Sequence, residues 1–244
     1  MKAKAKPAAK KKLPAKKQTS AKKPRPKKTT PRLTEIVFIL DRSGSMSGRE
    51  ADTIGGFNSL VGRQRRLPGE VLVSTVLFDD QMEVLHNRVP LGRIGPMTSE
   101  QYFTRGSTAL LDAIGRGIDH IGRIHKHAAA ADVPDKTLFV ITTDGMENAS
   151  HAYSHETIRA MIERQRSTWG WEFLFLGANI DAPAAAQTIG IDPNQAVNFL
   201  CDAQGVGAAY QGVSEAIHEL RTAGSVNTRW RKRLDADFGA RSKK

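Results

Sequence analysis

The chain has 244 residues, with 37 Lys plus Arg against 25 Asp plus Glu, a formal net charge of +12 and one cysteine. That length suits one or two packed domains, and a lone cysteine excludes both an intrachain disulfide and a cysteine-rich zinc site. No apolar run approaches the length of a bilayer span and the N-terminus lacks the apolar segment of a secretory signal, so a soluble, unexported protein of a reducing, cytoplasmic compartment is expected.

The charge is unevenly placed. Residues 1–33 hold twelve Lys together with Arg25 and Arg32 and no acid, a local +14; residues 229–244 carry +5, and residues 34–228 sum to −7. In the first segment Pro7, Pro14, Pro24, Pro26 and Pro31 interrupt any helix and aromatic residues are absent. Nothing there repays the entropy of ordering, so residues 1–33 read as a disordered Lys/Ala/Pro-rich basic tail. Such a tail attracts DNA or RNA phosphates by counterion release, without sequence preference and without an aromatic platform for bases.

From Thr34 the pattern changes. Residues 36–40 form a continuous apolar run ending at Asp41, as in a strand buried on both faces. Ile54, Phe57, Leu60 and Val61 then make one apolar helix face, and residues 71–78 a second buried strand. Residues 82–89, returning behind Asp79 and Asp80, read as an antiparallel edge strand. Leu111, Ile114, Ile118 and Ile121 mark the cleanest helix. Strands at 138–141, 173–176 and 196–200 alternate with helical faces at Ile158, Met161 and Ile162, after Asp181, and over 208–220. Buried strands alternating with amphipathic helices predict a parallel α/β sheet covered on both sides, spanning residues 34–222 and followed by a basic C-terminal extension, 223–244.

In such a sheet ligands bind beyond the carboxyl ends of the strands, where the winding reverses. The first strand ends in Asp41-Arg42-Ser43-Gly44-Ser45 and the fourth in Thr142-Thr143-Asp144-Gly145, while Gly106-Ser107-Thr108 precedes the cleanest helix. Asp41, Ser43 and Ser45 alternate along one loop, with Gly44 allowing the bend. With Thr108 and Asp144 they offer three hydroxyls and two carboxylates, hard oxygen donors that suit Mg²⁺ or Mn²⁺ rather than zinc. Neutral hydroxyls leave such an ion able to accept a further anionic ligand, for which a partner's carboxylate would serve.

These residues resemble the metal-ion-dependent adhesion site of von Willebrand factor A domains, in particular the bacterial stand-alone branch. All five positions of the motif are filled, in order, across residues 34 to about 222. The resemblance implies a Rossmann-like, doubly wound, mostly parallel six-stranded sheet. It further implies direct metal ligation by Ser43, Ser45 and Thr108, with Asp41 and Asp144 acting partly through water, and metal-dependent binding of an acidic side chain on another protein. Related bacterial domains work beside AAA-type ATPases, which makes such an ATPase an expected class of partner. The competing readings are a nucleic-acid-associated protein whose tail supplies affinity while the A domain recruits other factors, and, further off, a metal-dependent phosphohydrolase. No phosphate loop, nucleophile elbow or paired-carboxylate constellation supports an enzyme, so a binding module is expected.

Other polar residues are assigned local roles. Asp79 and Asp80 are read as turn formers, Asp181 as a helix cap, and Glu147 and Asn148 as part of a solvated loop. His120, His125 and His127, and His151 with His155, lack zinc-ligand arrangements, and core packing accounts for Trp169 and Trp171.

Overall fold

The computed structural model of the chain describes Met1 and residues 32–242; the basic tail expected before Thr34 lies almost wholly outside these. Strand β1 (Leu33–Asp41) is buried at every position. It is followed by α1 (Glu50–Gln64), β2 (Glu70–Phe78) and β3 (Met82–Pro90). Then come α2 (Leu110–His127), β4 (Lys136–Thr143), α3 (His155–Trp169) and β5 (Glu172–Ala178). The chain ends with α4 (Ala182–Thr188), β6 (Ala196–Phe199), α5 (Ala203–Ala223) and α6 (Lys232–Arg241).

The six strands lie in the order β3-β2-β1-β4-β5-β6, with β3 antiparallel to β2 and all other neighbours parallel. The sheet therefore winds outward in both directions from β1. The crevice between the carboxyl ends of β1 and β4 is its switch point, and Leu40 pairs there with Thr142.

Alternation along the strands divides the core into two layers. Ile36, Phe38 and Leu40 share one cluster with Phe57 and Leu60 of α1 and with Ile217 and Leu220 of α5. Val37 and Ile39 pack on the opposite face with Ile114 and Ile118 of α2 and Ile158 and Ile162 of α3. Beyond residue 222 the chain carries Trp230 and Leu234 into the first cluster, both essentially inaccessible to solvent. Trp171 packs its ring on Phe139, but Trp169 is 65% exposed, so core packing explains only one of that pair.

Polar groups inside the fold have specific duties. Glu35, fully buried near the start of β1, accepts hydrogen bonds from Arg88 Nε at 2.8 Å and His125 Nε2 at 2.5 Å. Arg221 of α5 is buried without an acidic partner among the described residues. Its guanidinium closes the C-terminal end of α1, donating to the carbonyl and side-chain oxygens of Gln64 and to the carbonyls of Leu67, Pro68 and Gly69. A helix end leaves carbonyls without intrahelical donors, and a buried one must find them elsewhere. Arg221→Met should therefore lower stability in urea unfolding by about 2–3 kcal/mol, since several carbonyls lose their only charged donor.

Candidate metal centre

Three loops converge at the switch point. The β1 loop contributes Asp41, the last residue of the strand, with Ser43 and Ser45; the loop before α2 contributes Thr108; Asp144 follows the last residue of β4. Asp41 is buried and held from two sides, Oδ1 accepting from the Ser43 N–H at 2.7 Å and Oδ2 from Thr143 Oγ1 at 2.6 Å. Ser43 Oγ lies 3.0 Å from Ser45 Oγ, which in turn donates to Asp144 Oδ1 at 2.5 Å. A methyl group added at Gly145 would stand 3.3 Å from Ser45 Oγ and 3.4 Å from Thr108 Oγ1, which places those two hydroxyls around the same point. Ser43 precedes the 3-10 turn Gly44–Met46 but makes no side-chain cap to it, so these serines are not there to cap a helix.

Neither Asp41 nor Asp144 has an ion-pair partner among the described residues. Burial raises both carboxyls above the ordinary aspartate value. Hydrogen bonds from Thr143 and Ser43 offset part of this for Asp41, to which the charge of Asp144 adds, and hydrogen bonds from Ser45 and Cys201 do so for Asp144. The crevice thus gathers buried carboxyls and hydroxyl dipoles, and the Arg49 guanidinium reaches Cys201 beside Asp144 without pairing with either carboxylate. Among the described residues no three His, Cys, Asp or Glu side chains gather into a metal-binding set; the donors here are two carboxylates and three hydroxyls.

Several residues that sequence reasoning placed elsewhere, or overlooked, hold these loops in position. Arg42, inside the Asp-x-Ser-x-Ser run, is fully buried and donates from Nε to Asp79 Oδ2 at 2.9 Å and from Nη1 to Glu83 Oε2 at 2.8 Å. Arg105 Nε reaches the same Asp79 oxygen at 2.7 Å, and both guanidiniums lie over the Phe103 ring. Asp79 is a turn former as expected, its Oδ1 accepting from the Gln81 N–H, and also a buried ionic hub. Burial opposes its charge, but the hydrogen bonds from Arg105, Gln81 and Arg42 outweigh that and hold the carboxyl below the usual aspartate value. Tyr102, fully buried, donates from its hydroxyl to the Asp41 carbonyl at 2.5 Å.

Glu147 and Asn148 lie in a loop, with Asn148 exposed as expected, but both side chains are engaged in hydrogen bonds. Glu147 accepts from the N–H groups of Leu111, Ala149 and Ser150, pinning the first turn of α2, and Asn148 Oδ1 accepts from the Thr108 N–H. The special backbone is at Gly106, whose φ is +64° and whose missing side chain leaves room for Asp80; Gly44 keeps a negative φ, donates its N–H to the Gly106 carbonyl and accepts from the Ser47 N–H. The signal for these roles lay in spacing across the fold, which a linear motif does not carry.

Because removing one partner of a buried ion pair strands the other, Asp79→Asn should destabilise the domain by about 3–5 kcal/mol. The double variant Asp79→Leu with Arg42→Met should recover much of that loss in urea unfolding, which separates a bracing role from a binding one.

No protein-family model matches the chain, and no curated protein matches it significantly. Solved structures do. The von Willebrand factor domain of the type V pili tip protein Mfa5 from Porphyromonas gingivalis superposes with a TM-score of 0.56 at 10% identity, over 82% of this chain and 99% of that one. The PilB minor pilin of Streptococcus sanguinis gives 0.55 at 11% identity over 81% and 64% of the two chains. Proximal thread matrix protein 1 from the mussel byssus, solved with zinc in its metal-ion-dependent adhesion site, gives 0.52 at 13% identity over 77% of this chain and 46% of that one. The chain thus spans about half the length of the mussel protein. At these identities the likeness is one of fold, and together with the sheet order it shows that the chain adopts the von Willebrand factor A-like α/β fold.

Proposed function

We propose that the chain is a protein-interaction module that holds Mg²⁺ or Mn²⁺ at the β1/β4 crevice and uses it to capture an Asp or Glu side chain of another protein. The observation that carries this reading is the convergence of two buried carboxylates and three hydroxyls, with neither carboxylate in an ion pair among the described residues. The donor set fits a hard divalent ion: Ser43, Ser45 and Thr108 would hold it directly, with Asp41 and Asp144 partly through water. When bound, the ion would supply a positive centre open to one more anionic oxygen.

The chain's own groups prepare that site. Thr143 and the Ser43 N–H fix the rotamer of Asp41, and Asp144 orients the Ser45 hydroxyl. Phe103 and Met146, 41% and 75% exposed, offer apolar surface on the same three-loop edge, beside which a partner's acidic residue would dock. Ser43 and Ser45 are bonded to each other and to Asp144 rather than to a histidine base, which favours binding over hydrolysis. A cytoplasmic location and an AAA-type ATPase as partner belong to the same proposal.

Calorimetric titration of Mg²⁺ and Mn²⁺ into the full chain should show one site. Asp41→Ala and Ser45→Ala should each weaken it by about 10–100-fold, while circular dichroism stays native. Equal affinity in Asp41→Ala would overturn the assignment. In a pull-down, a partner that depends on this site should be lost both with EDTA and with Asp144→Ala.

A further inference from the structure

The opposite pole of the sheet carries a second feature, which does not rest on the metal reading. Between the C-terminal turns of α2 and α3, at the amino ends of β4 and β5, lies a cleft of about 500 Å³, within the range of small-ligand sites. Its floor and rim are aromatic. Trp171 is stacked on Phe139 with ring centroids 5.3 Å apart and meets the His125 ring edge-on at 5.4 Å; His125 is itself fixed by buried Glu35. Trp169, among the few large apolar side chains left exposed, stands at the rim.

The wall contributed by α2 is hollowed by a glycine that the packing of the fold does not require. Gly115, Gly117 and Gly122 all lie within this helix, each at a cost in helix propensity. A Cβ at Gly115 would run into the Tyr153 ring at 2.5 Å, and one at Gly117 would press on Ile39 at 3.1 Å, so close neighbours account for both. At Gly122 the nearest atom to such a carbon is Gln165 Nε2, 3.9 Å away, which is ordinary contact. What the missing side chain keeps open there is the cleft, which Gly122 and Gln165 both line. The Gln165 amide makes no side-chain hydrogen bond among the described residues, so its donor and acceptor are both free.

The charge around the rings is positive although residues 34–228 as a whole are acidic. Arg123, Lys126 and Arg164 line the cleft, all exposed and none in an ion pair among the described residues. The one acid on the wall, Asp119, accepts a hydrogen bond from the Tyr153 hydroxyl.

We propose that this cleft binds a free nucleoside monophosphate. The base stacks on the Trp169 indole above the Trp171 floor, in the space left by Gly122, and the Gln165 amide meets its polar edge. Arg123, Lys126 and Arg164 take the phosphate. Rings alone would suit any apolar guest, and cations alone any anion. Their meeting in one concave site, beside an amide that can both donate and accept, selects a ligand with a flat, polar-edged ring and a charged group.

The test is equilibrium dialysis of the full chain at about 0.1 M salt, without added divalent metal, against AMP, adenosine, ribose 5-phosphate and inorganic phosphate. AMP should bind saturably, and the other three at least about tenfold more weakly, since each lacks the base or the charge. Trp169→Ala should weaken AMP by about 5- to 100-fold and leave ribose 5-phosphate unaffected, with Trp169→Phe largely restoring it. Because Trp169 is exposed, this change should leave thermal unfolding unaltered. Lys126→Ala with Arg164→Ala should bring AMP down to the level of adenosine. Gly122→Leu fills the cleft with a better helix former, so it should abolish AMP binding while the thermal midpoint stays at or above that of the wild type. No saturable AMP binding, equal binding of AMP and ribose 5-phosphate, or undiminished AMP binding in Trp169→Ala or Gly122→Leu would overturn the proposal.

Discussion

One carboxylate organises the top of this domain. Asp79 sits at the end of β2, out of reach of water, and binds the guanidinium of Arg42 from the β1 loop and that of Arg105 from the loop leading to α2. Its backbone carbonyl accepts from the Ala109 N–H, and the Arg105 N–H reaches the Arg42 carbonyl. The β1 loop and the loop before α2 are thus fastened to one another from behind, and the loop after β4 joins them through Asn148, whose N–H donates to the Thr108 carbonyl. Short side chains on separate loops keep a common geometry only if the loops do not drift, and this ionic brace limits such drift.

The sheet separates two chemistries. At the carboxyl ends of the strands, buried acids and hydroxyls converge. At the amino ends, Trp169, Trp171 and His125 line one cleft together with Arg123, Lys126 and Arg164. The alternation of inward side chains that builds the two core layers also keeps these poles apart, since every strand contributes apolar residues between them. The overall charge of +12 describes neither pole.

The strands, the helices and the antiparallel edge were legible because hydrophobic period is a local property: 36–40 and 138–141 are apolar without interruption and 71–78 is broken only at Ser74 and Thr75, as suits a doubly covered strand. The five oxygen donors were legible because four of them end or follow strands in a spaced motif and Thr108 just precedes a clear helix. Arg42, Tyr102, Thr143 and Glu147 were not, because each acts on a residue that the fold, not the chain, brings near. Glu147, for instance, meets Leu111 across 36 positions. The unequal fates of Trp169 and Trp171 were hidden for a related reason. The Gly170 between them takes φ +66° and ends α3, so the two rings leave the chain in different directions.

The packing of α5 constrains how the domain can move. Its far end is bolted to α1 through Arg221, and midway the Tyr210 ring lies in a notch that exists only because residue 56 of α1 has no side chain: a Cβ there would come within 2.3 Å of the ring. Just ahead of its first turn, Cys201 Sγ lies 3.8 Å from Asp144. The two helices are keyed like a shaft in its slot, so α5 cannot slide along its axis by itself. Any strain arriving from the crevice would be passed on as a joint tilt of α1 and α5 over the sheet.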